Sequence, residues 1–286
     1  MHALEGPRLK IRRAKSEIQR LSRTEDSFRS KANYKLIKSE LNPKTGNYVY
    51  RIRVGREPDL EWGVYIGEIA HNLRSALDGL VYQLVLVTGK TPASTTQFPI
   101  FLIGRTTRQR RRGKALVPHF EGMERADGRS MIQRVSMKHQ AVIEGLQPYK
   151  RIRRHSLEGS GRDNALHLLR ELNNADKHRL LQVVGGKPAP SHAAPFGIRT
   201  SAKVASLLAA GLPSGLVEVT GPHFVVLTDG AKVLEAPEDV HVDANIIPLI
   251  AFSEGCEAVK NRAVVFTLSR IAKVVELIVE RFSAEF

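Results

Sequence analysis

Apolar residues recur every three or four positions along several stretches of this chain, and over shorter stretches they alternate with polar ones. Residues 4–30 set Leu9, Ile11, Ile18 and Leu21 among Arg8, Lys10, Arg12, Arg13, Lys15, Arg20 and Arg23. That pattern predicts an amphipathic helix, packed on one face and displaying charge on the other. Residues 33–41 and 48–54 alternate on either side of N-P-K-T-G-N, which predicts a β-hairpin. Residues 60–88 form the longest apolar helical run, ending at Gly89. Helix is predicted again over 130–146 and from about Asp163 to Leu181. Short, turn-bounded strands follow at Leu216 to Thr220, His223 to Thr228, Ala231 to Ala236 and Val240 to Asp243. The closing helix, about Glu257 to Phe282, carries Val264, Val265, Leu268, Ile271, Val274, Val275, Ile278 and Val279 in one wide stripe. Such a stripe must pack on the bundle or on a second copy of the chain, which makes a homodimer a candidate.

The predicted fold is therefore α+β, a mainly helical bundle with an N-terminal β-hairpin and a small antiparallel sheet in the C-terminal half. It is expected as a single domain over 1–286, with sub-structure at 1–57 (basic helix plus hairpin), 58–184 (helical core), 185–256 (sheet) and 257–286 (packing helix). With 42% hydrophobic and 26% charged residues, the chain can build a sizeable core. The lone Cys256 excludes a disulfide framework and a cysteine zinc site. No run has the length needed to cross a bilayer and none reads as a secretory signal, so a cytoplasmic location and no membrane partner are expected.

Charge changes the picture more than composition does. The net charge is +15, and residues 1–60 and 101–160 carry +8 and +9 of it, leaving −2 for the remainder. Basic residues gathered in this way point to a polyanion, with nucleic acid as the expected partner and RNA ahead of DNA. The candidate phosphate contacts are Arg12 and Arg13 on the first helix, Arg105, Arg108, Arg110, Arg111, Arg112 and Lys114 in R-T-T-R-Q-R-R-R-G-K, and Lys150, Arg151, Arg153 and Arg154 in K-R-I-R-R-H. A solvated basic surface with no partner gives the same composition. Aromatic residues do not interleave with the basic runs, so base stacking along them has little support. G-S-G at Gly159 to Gly161 could hold a phosphate at a helix start or serve as a plain link; it lacks the G-K-[ST] ending of a phosphate-binding loop.

Two segments concentrate polar chemistry among leucines: H-N-L-R-S-A-L-D-G at His71 to Gly79 and L-N-N-A-D-K-H-R at Leu172 to Arg179. A step of 100° per residue, from the 3.6-residue turn, gathers Gly67, His71, Arg74, Ser75, Asp78 and Tyr82 on one arc. The same construction groups His167, Arg170, Glu171, Asn174 and His178, and leaves Asp176 on the leucine face. A carboxylate there needs a partner, and an Arg74–Asp176 interhelical bridge is the expected one. Arg74 and Asp78, spaced i,i+4, could pair instead. The segments read either as an interhelix latch or as a site for anion binding and proton transfer. A metal held by His71, Asp78 and His178 has acceptable chemistry without a recognised spacing, and no cofactor motif is present.

The strings I-G-E-I-A-H-N-L-R-S-A-L-D, Q-F-P-I-F and A-L-H-L-L-R-E-L-N-N-A-D-K-H-R-L-L resemble a widespread group of bacterial proteins of unknown function, over about Tyr65 to Val184. More remotely, each polar segment is similar to half of the HEPN ribonuclease motif, in which Arg is followed after four to six residues by His on one helix. The first segment has Arg74 with Gly79 where the His would stand; the second has His178 and Asn174 with Asn173 in the Arg position. The resemblance implies metal-independent RNA cleavage in a defence or toxin system. His178 would act as base or acid, Arg74 or Arg170 would stabilise the phosphate charge, and Asn174 would orient the His. A nucleic-acid-binding protein without such activity and a scaffold that binds other proteins stand beside it.

Overall fold

The computed structural model describes residues 3–31, 34–101, 126–148, 164–178, 181, 183–188, 224–226, 229–230, 232–238, 245–246, 249–253 and 255–286. The fold is α+β and mainly helical, with an N-terminal antiparallel hairpin. In chain order its elements are α1 (Glu5–Lys31), β1 (Tyr34–Leu41), β2 (Tyr48–Arg53), α2 (Glu61–Val87), α3 (Ala126–Ile132), α4 (Met137–Gly145) and α5 (Ala165–Asp176). They continue with β3 (Val183–Pro188), β4 (Phe224–Val226), β5 (Lys232–Ala236), β6 (Asn245–Ile246), β7 (Leu249–Phe252) and α6 (Val264–Arg281). The chain divides into two compact units, each drawn from segments far apart in sequence.

The first unit comprises Met1–Ile18, Tyr65–Arg179 and Leu268–Phe286. Leu4, just before α1, and Ile11, Ala14 and Ile18 within it are buried and fall three, four or seven apart, which keeps them on one face. Leu9, expected on that face, stands outward at 52% exposure. In α2 a broader surface is enclosed, with Ile66, Ile69, Leu73, Leu77, Leu80 and Leu84 all at 0%. Gly89, at φ +72°, ends it in the left-handed conformation that glycine adopts without strain. The stripe of α6 is covered within the chain, since Leu268, Ile271, Val275, Ile278 and Val279 are buried.

Much of the charge on the first turns of α1 holds the unit together. Arg8 grips Glu280 of α6 through two bonds of 2.8 and 2.7 Å, Lys15 pairs with Glu276, and Lys10 donates to Ser75 of α2. Helix was expected without a break over 130–146, but two helices form there. Ser136 starts the second by accepting a bond from the His139 N–H, and its side chain favours a cap over a helix interior. Likewise α5 begins at Ala165, because the Asn164 side chain caps it, and ends at Asp176.

The second unit comprises Gln19–Val64 and Leu180–Thr267. The hairpin forms as the alternation predicts, with Leu36 opposite Ile52 and a bulge between Lys38 and Leu41. Gly46, at φ +67°, closes its turn. The small antiparallel sheet expected in the C-terminal half forms, in the order β4-β3-β7. The strand expected at Ala231 to Ala236 forms as β5, but it pairs with β2, and β6 pairs with β1, giving another sheet in the order β5-β2-β1-β6. The strands expected at Leu216 to Thr220 and Val240 to Asp243 lie outside the described residues. Helix α6 begins at Val264, not near Glu257, because residues 257–262 form turns that bring Asn261 to φ +60°. No helix among the described residues is long and apolar enough to cross a membrane.

Glu25 occupies an inward position of α1 in this unit. It is 9% exposed, and its carboxylate accepts the Ile250 N–H at 3.3 Å. Burial raises its pKa above the ordinary 4.5, with the Ile250 bond and Arg29 offsetting part of the shift. A raised folded pKa means that the native state holds this proton more tightly than the unfolded chain does. Glu25 therefore lowers stability as pH rises through the interval above 4.5, and the effect vanishes below it. Glu25→Gln keeps an acceptor for Ile250 without the charge. In urea unfolding it should be at least as stable as the parent at neutral pH, with any advantage shrinking as pH falls towards 4.5.

Candidate functional site

The Q-F-P-I-F segment determines the geometry of the first unit's polar residues. Phe98 and Ile100 are buried, yet residues 97–101 belong to neither sheet. Pro99 has no N–H for a ladder, so the peptide groups around it need other partners. Side chains supply them. Asp78 accepts the Phe98 N–H at 2.9 Å, and Arg74 Nη2 donates to the Phe98 carbonyl at 2.7 Å. Gln147, itself fully buried, donates to the Pro99 carbonyl at 2.8 Å and accepts the Phe101 N–H at 3.1 Å. Arg170 of α5 donates to the Ile100 carbonyl at 3.1 Å.

This clamp corrects the expected Arg74–Asp176 bridge. Arg74 is engaged by Asp78, with Nη2 3.0 Å from Oδ1 and Nε 3.2 Å from Oδ2. Its long, planar head bonds the i+4 carboxylate and the Phe98 carbonyl together through Nε and Nη2, which turns it towards residues 97–101 and not towards Asp176. Asp176 meets α2 elsewhere. Its carboxylate lies against the backbone of Gly67, where an added Cβ would come within 1.8 Å of Oδ1, so a larger residue there requires the Asp176 side chain to move aside. Burial raises the Asp176 pKa, and the nearby His71 draws it back in part.

Beside the strap lies a cleft of about 370 Å³ lined by Arg74, Gln97, Phe98, Ile100, Phe101, Met131, Arg170, Asn173, Asn174 and Lys177. The structure thus gathers three of the expected residues, Arg74, Arg170 and Asn174, in one lining. Asp78 balances Arg74, and Glu171 lies 3.3 Å from Arg170 Nε; Lys177 has no such counter-ion among the described residues. Asn173 is 6% exposed. Its amide makes no hydrogen bond to a described residue, in contrast to the fully bonded Gln147. Gln97, Asn173, Lys177 and the apolar wall were not anticipated as site residues. Asn173 entered the sequence reading only where a motif Arg was missing, although an Asn on the buried leucine side of α5 was itself a signal.

The remaining expected residues are placed as follows. His178 is exposed in the turn after α5 and does not line the cleft. His71, Asp78 and His178 do not assemble as a three-ligand cluster, and no other group of His, Cys, Asp or Glu among the described residues does. Arg12 and Arg13 are exposed but pair with Glu5 at 2.6 Å and Glu17 at 3.0 Å, so they are less available to phosphate than their sequence suggests. Arg105, Arg108, Arg110, Arg111, Arg112, Lys114, Lys150, Arg151, Arg153, Arg154 and the G-S-G link lie outside the described residues.

Two substitutions separate scaffold from site. Arg74→Lys cannot serve Asp78 and the Phe98 carbonyl at once and should cost about 2 kcal/mol in urea unfolding. Asn173→Leu removes a nearly buried amide with no hydrogen bond to a described residue and should leave stability unchanged or raise it by about 1 kcal/mol. Destabilisation by Asn173→Leu comparable to that of Arg74→Lys would show that Asn173 belongs to the scaffold. No family model, curated protein or solved structure matches the chain.

Proposed function

We propose that the protein binds nucleic acid, with the cleft beside the strap as part of its grip on phosphate. One observation carries the reading: Arg74, Arg170 and Lys177 converge on a cleft whose hydrogen-bonding groups are mostly unused donors. After the intramolecular bonds are made, Arg74 Nη1, Arg170 Nη2, Gln97 Nε2 and Lys177 Nζ have no hydrogen-bond acceptor among the described residues, and the Asn173 and Asn174 amides are also unengaged. A donor-rich recess suits an acceptor-rich ligand, and phosphate oxygens are the strongest acceptors in a strand.

The +15 net charge supports the same partner, because a basic protein accumulates polyanions before any specific contact forms. The runs at Arg105 to Lys114 and Lys150 to Arg154 add to that attraction on sequence grounds. RNA is the partner expected ahead of DNA, since proteins read single strands chiefly through recesses that admit individual nucleotides.

The test is fluorescence anisotropy with labelled single-stranded RNA, single-stranded DNA and duplex across a salt series. Affinity for RNA should fall steeply between about 50 and 200 mM salt as counterions compete for the phosphates. Lys177→Glu should weaken binding about tenfold and leave the thermal midpoint unchanged, because Lys177 makes no intramolecular bond to a described residue. Salt-insensitive binding, or full affinity in Lys177→Glu, would count against the proposal.

A further inference from the structure

We infer that the cleft is a nucleotide subsite: it admits one unit of a single strand, holds the phosphate at Lys177 and Arg170, and reads the base with the Asn173 amide. This rests on the nucleic-acid reading above and adds a ligand and an orientation to it.

Size sets the first limit. A volume of about 370 Å³ lies in the range of small-ligand pockets. A duplex about 20 Å wide has no place in it, whereas a single splayed nucleotide does.

Electrostatics sets the orientation. The inner part of the cleft is close to neutral: Asp78 matches Arg74, and the Phe98 and Ile100 carbonyls already accept bonds from Arg74 and Arg170. An anion pushed inward would face those carbonyl oxygens. Lys177 is exposed and has no counter-ion among the described residues, and it sits at the C-terminal cap of α5, where helix carbonyls repel anions unless a cation intervenes. The phosphate therefore belongs at the rim, by Lys177 and the unused Nη2 of Arg170.

The inner end takes a flat, neutral, hydrogen-bonding group. Phe101, Met131 and Ile100 are in the lining, apolar and suited to the face of a ring. Asn173, 6% exposed, offers a donor and an acceptor side by side without a hydrogen-bond partner among the described residues. Every nucleobase carries an edge with a neighbouring donor and acceptor, and side-chain amides complement such edges. A bare phosphate or a sugar phosphate would leave that amide unsatisfied.

Calorimetry with the full chain tests this, using the four nucleoside 5′-monophosphates, ribose 5-phosphate and inorganic phosphate, alongside oligonucleotides that are intact or contain abasic positions. At least one nucleoside monophosphate should bind about tenfold tighter than ribose 5-phosphate, in line with the usual contribution of one base. Asn173→Leu should bring that ratio close to one with no loss in thermal midpoint. Lys177→Ala should weaken all the phosphate ligands together and preserve the ratio. Equal affinity for nucleoside monophosphates and ribose 5-phosphate, with strand binding intact, overturns the subsite and leaves the nucleic-acid reading standing. Tight nucleoside monophosphate binding that depends on Asn173, without strand binding, supports the subsite for a free nucleotide and overturns the nucleic-acid reading.

Discussion

A buried peptide segment outside any sheet or helix must find hydrogen-bond partners one by one, and residues 97–101 find them in side chains. Asp78 and Arg74 take the two polar groups of Phe98, Gln147 takes the Pro99 carbonyl and Phe101 N–H, and Arg170 takes the Ile100 carbonyl. Each bond contributes about 1 kcal/mol net, and somewhat more with a charged partner. Leaving a buried carbonyl or N–H unmade costs about 1–3 kcal/mol, so the members of the clamp stand or fall together. The strap fixes one wall of the cleft, and the clamp fixes the rotamers of Arg74 and Arg170 that line it. Preorganisation of the site and stability of the fold thus come from the same bonds.

The arrangement also explains why the polar residues of α2 and α5 sit among leucines. They do not form one interhelical ion pair but reach separately to a third segment. Arg74 and Asp78 are coupled at i,i+4, a spacing that contributes a few tenths of a kcal/mol when exposed. Here both also bond a buried peptide, which turns a weak surface pair into a structural one. Asp176 is placed differently, with its carboxylate against the Gly67 backbone of α2.

The helices and hairpin were legible because their signals are local. Period, cap and turn residues all lie within a few positions of one another in α1, α2 and the β1–β2 hairpin. What was not legible is non-local. Nothing in K-V-L-E-A specifies β2 as its partner rather than a neighbouring strand, and V-V-G-G-K-P carries two glycines that mask a central strand. Both polar segments contribute residues to the cleft lining, but a helical wheel gives the direction in which Arg74 leaves the helix and not what waits there. The Pro within Q-F-P-I-F was the available clue, since an apolar run that cannot complete a ladder must draw on long polar side chains. The cleft and the place of Asn173 in its lining arise only when three segments meet, so no spacing could announce them.

The contrast between the two amides, Gln147 fully bonded and Asn173 without a bond to any described residue, divides the neighbourhood by how freely it can change. Arg74, Asp78, Gln147 and Arg170 each serve the strap, and exchanging any one of them exposes the others to loss. The side chains of Asn173, Asn174 and Lys177 bond no described residue, so their identities can drift at little cost to folding. A frame of fixed residues around three adjustable ones is a scaffold on which ligand preference can be retuned by single substitutions, each leaving the wall of the cleft intact.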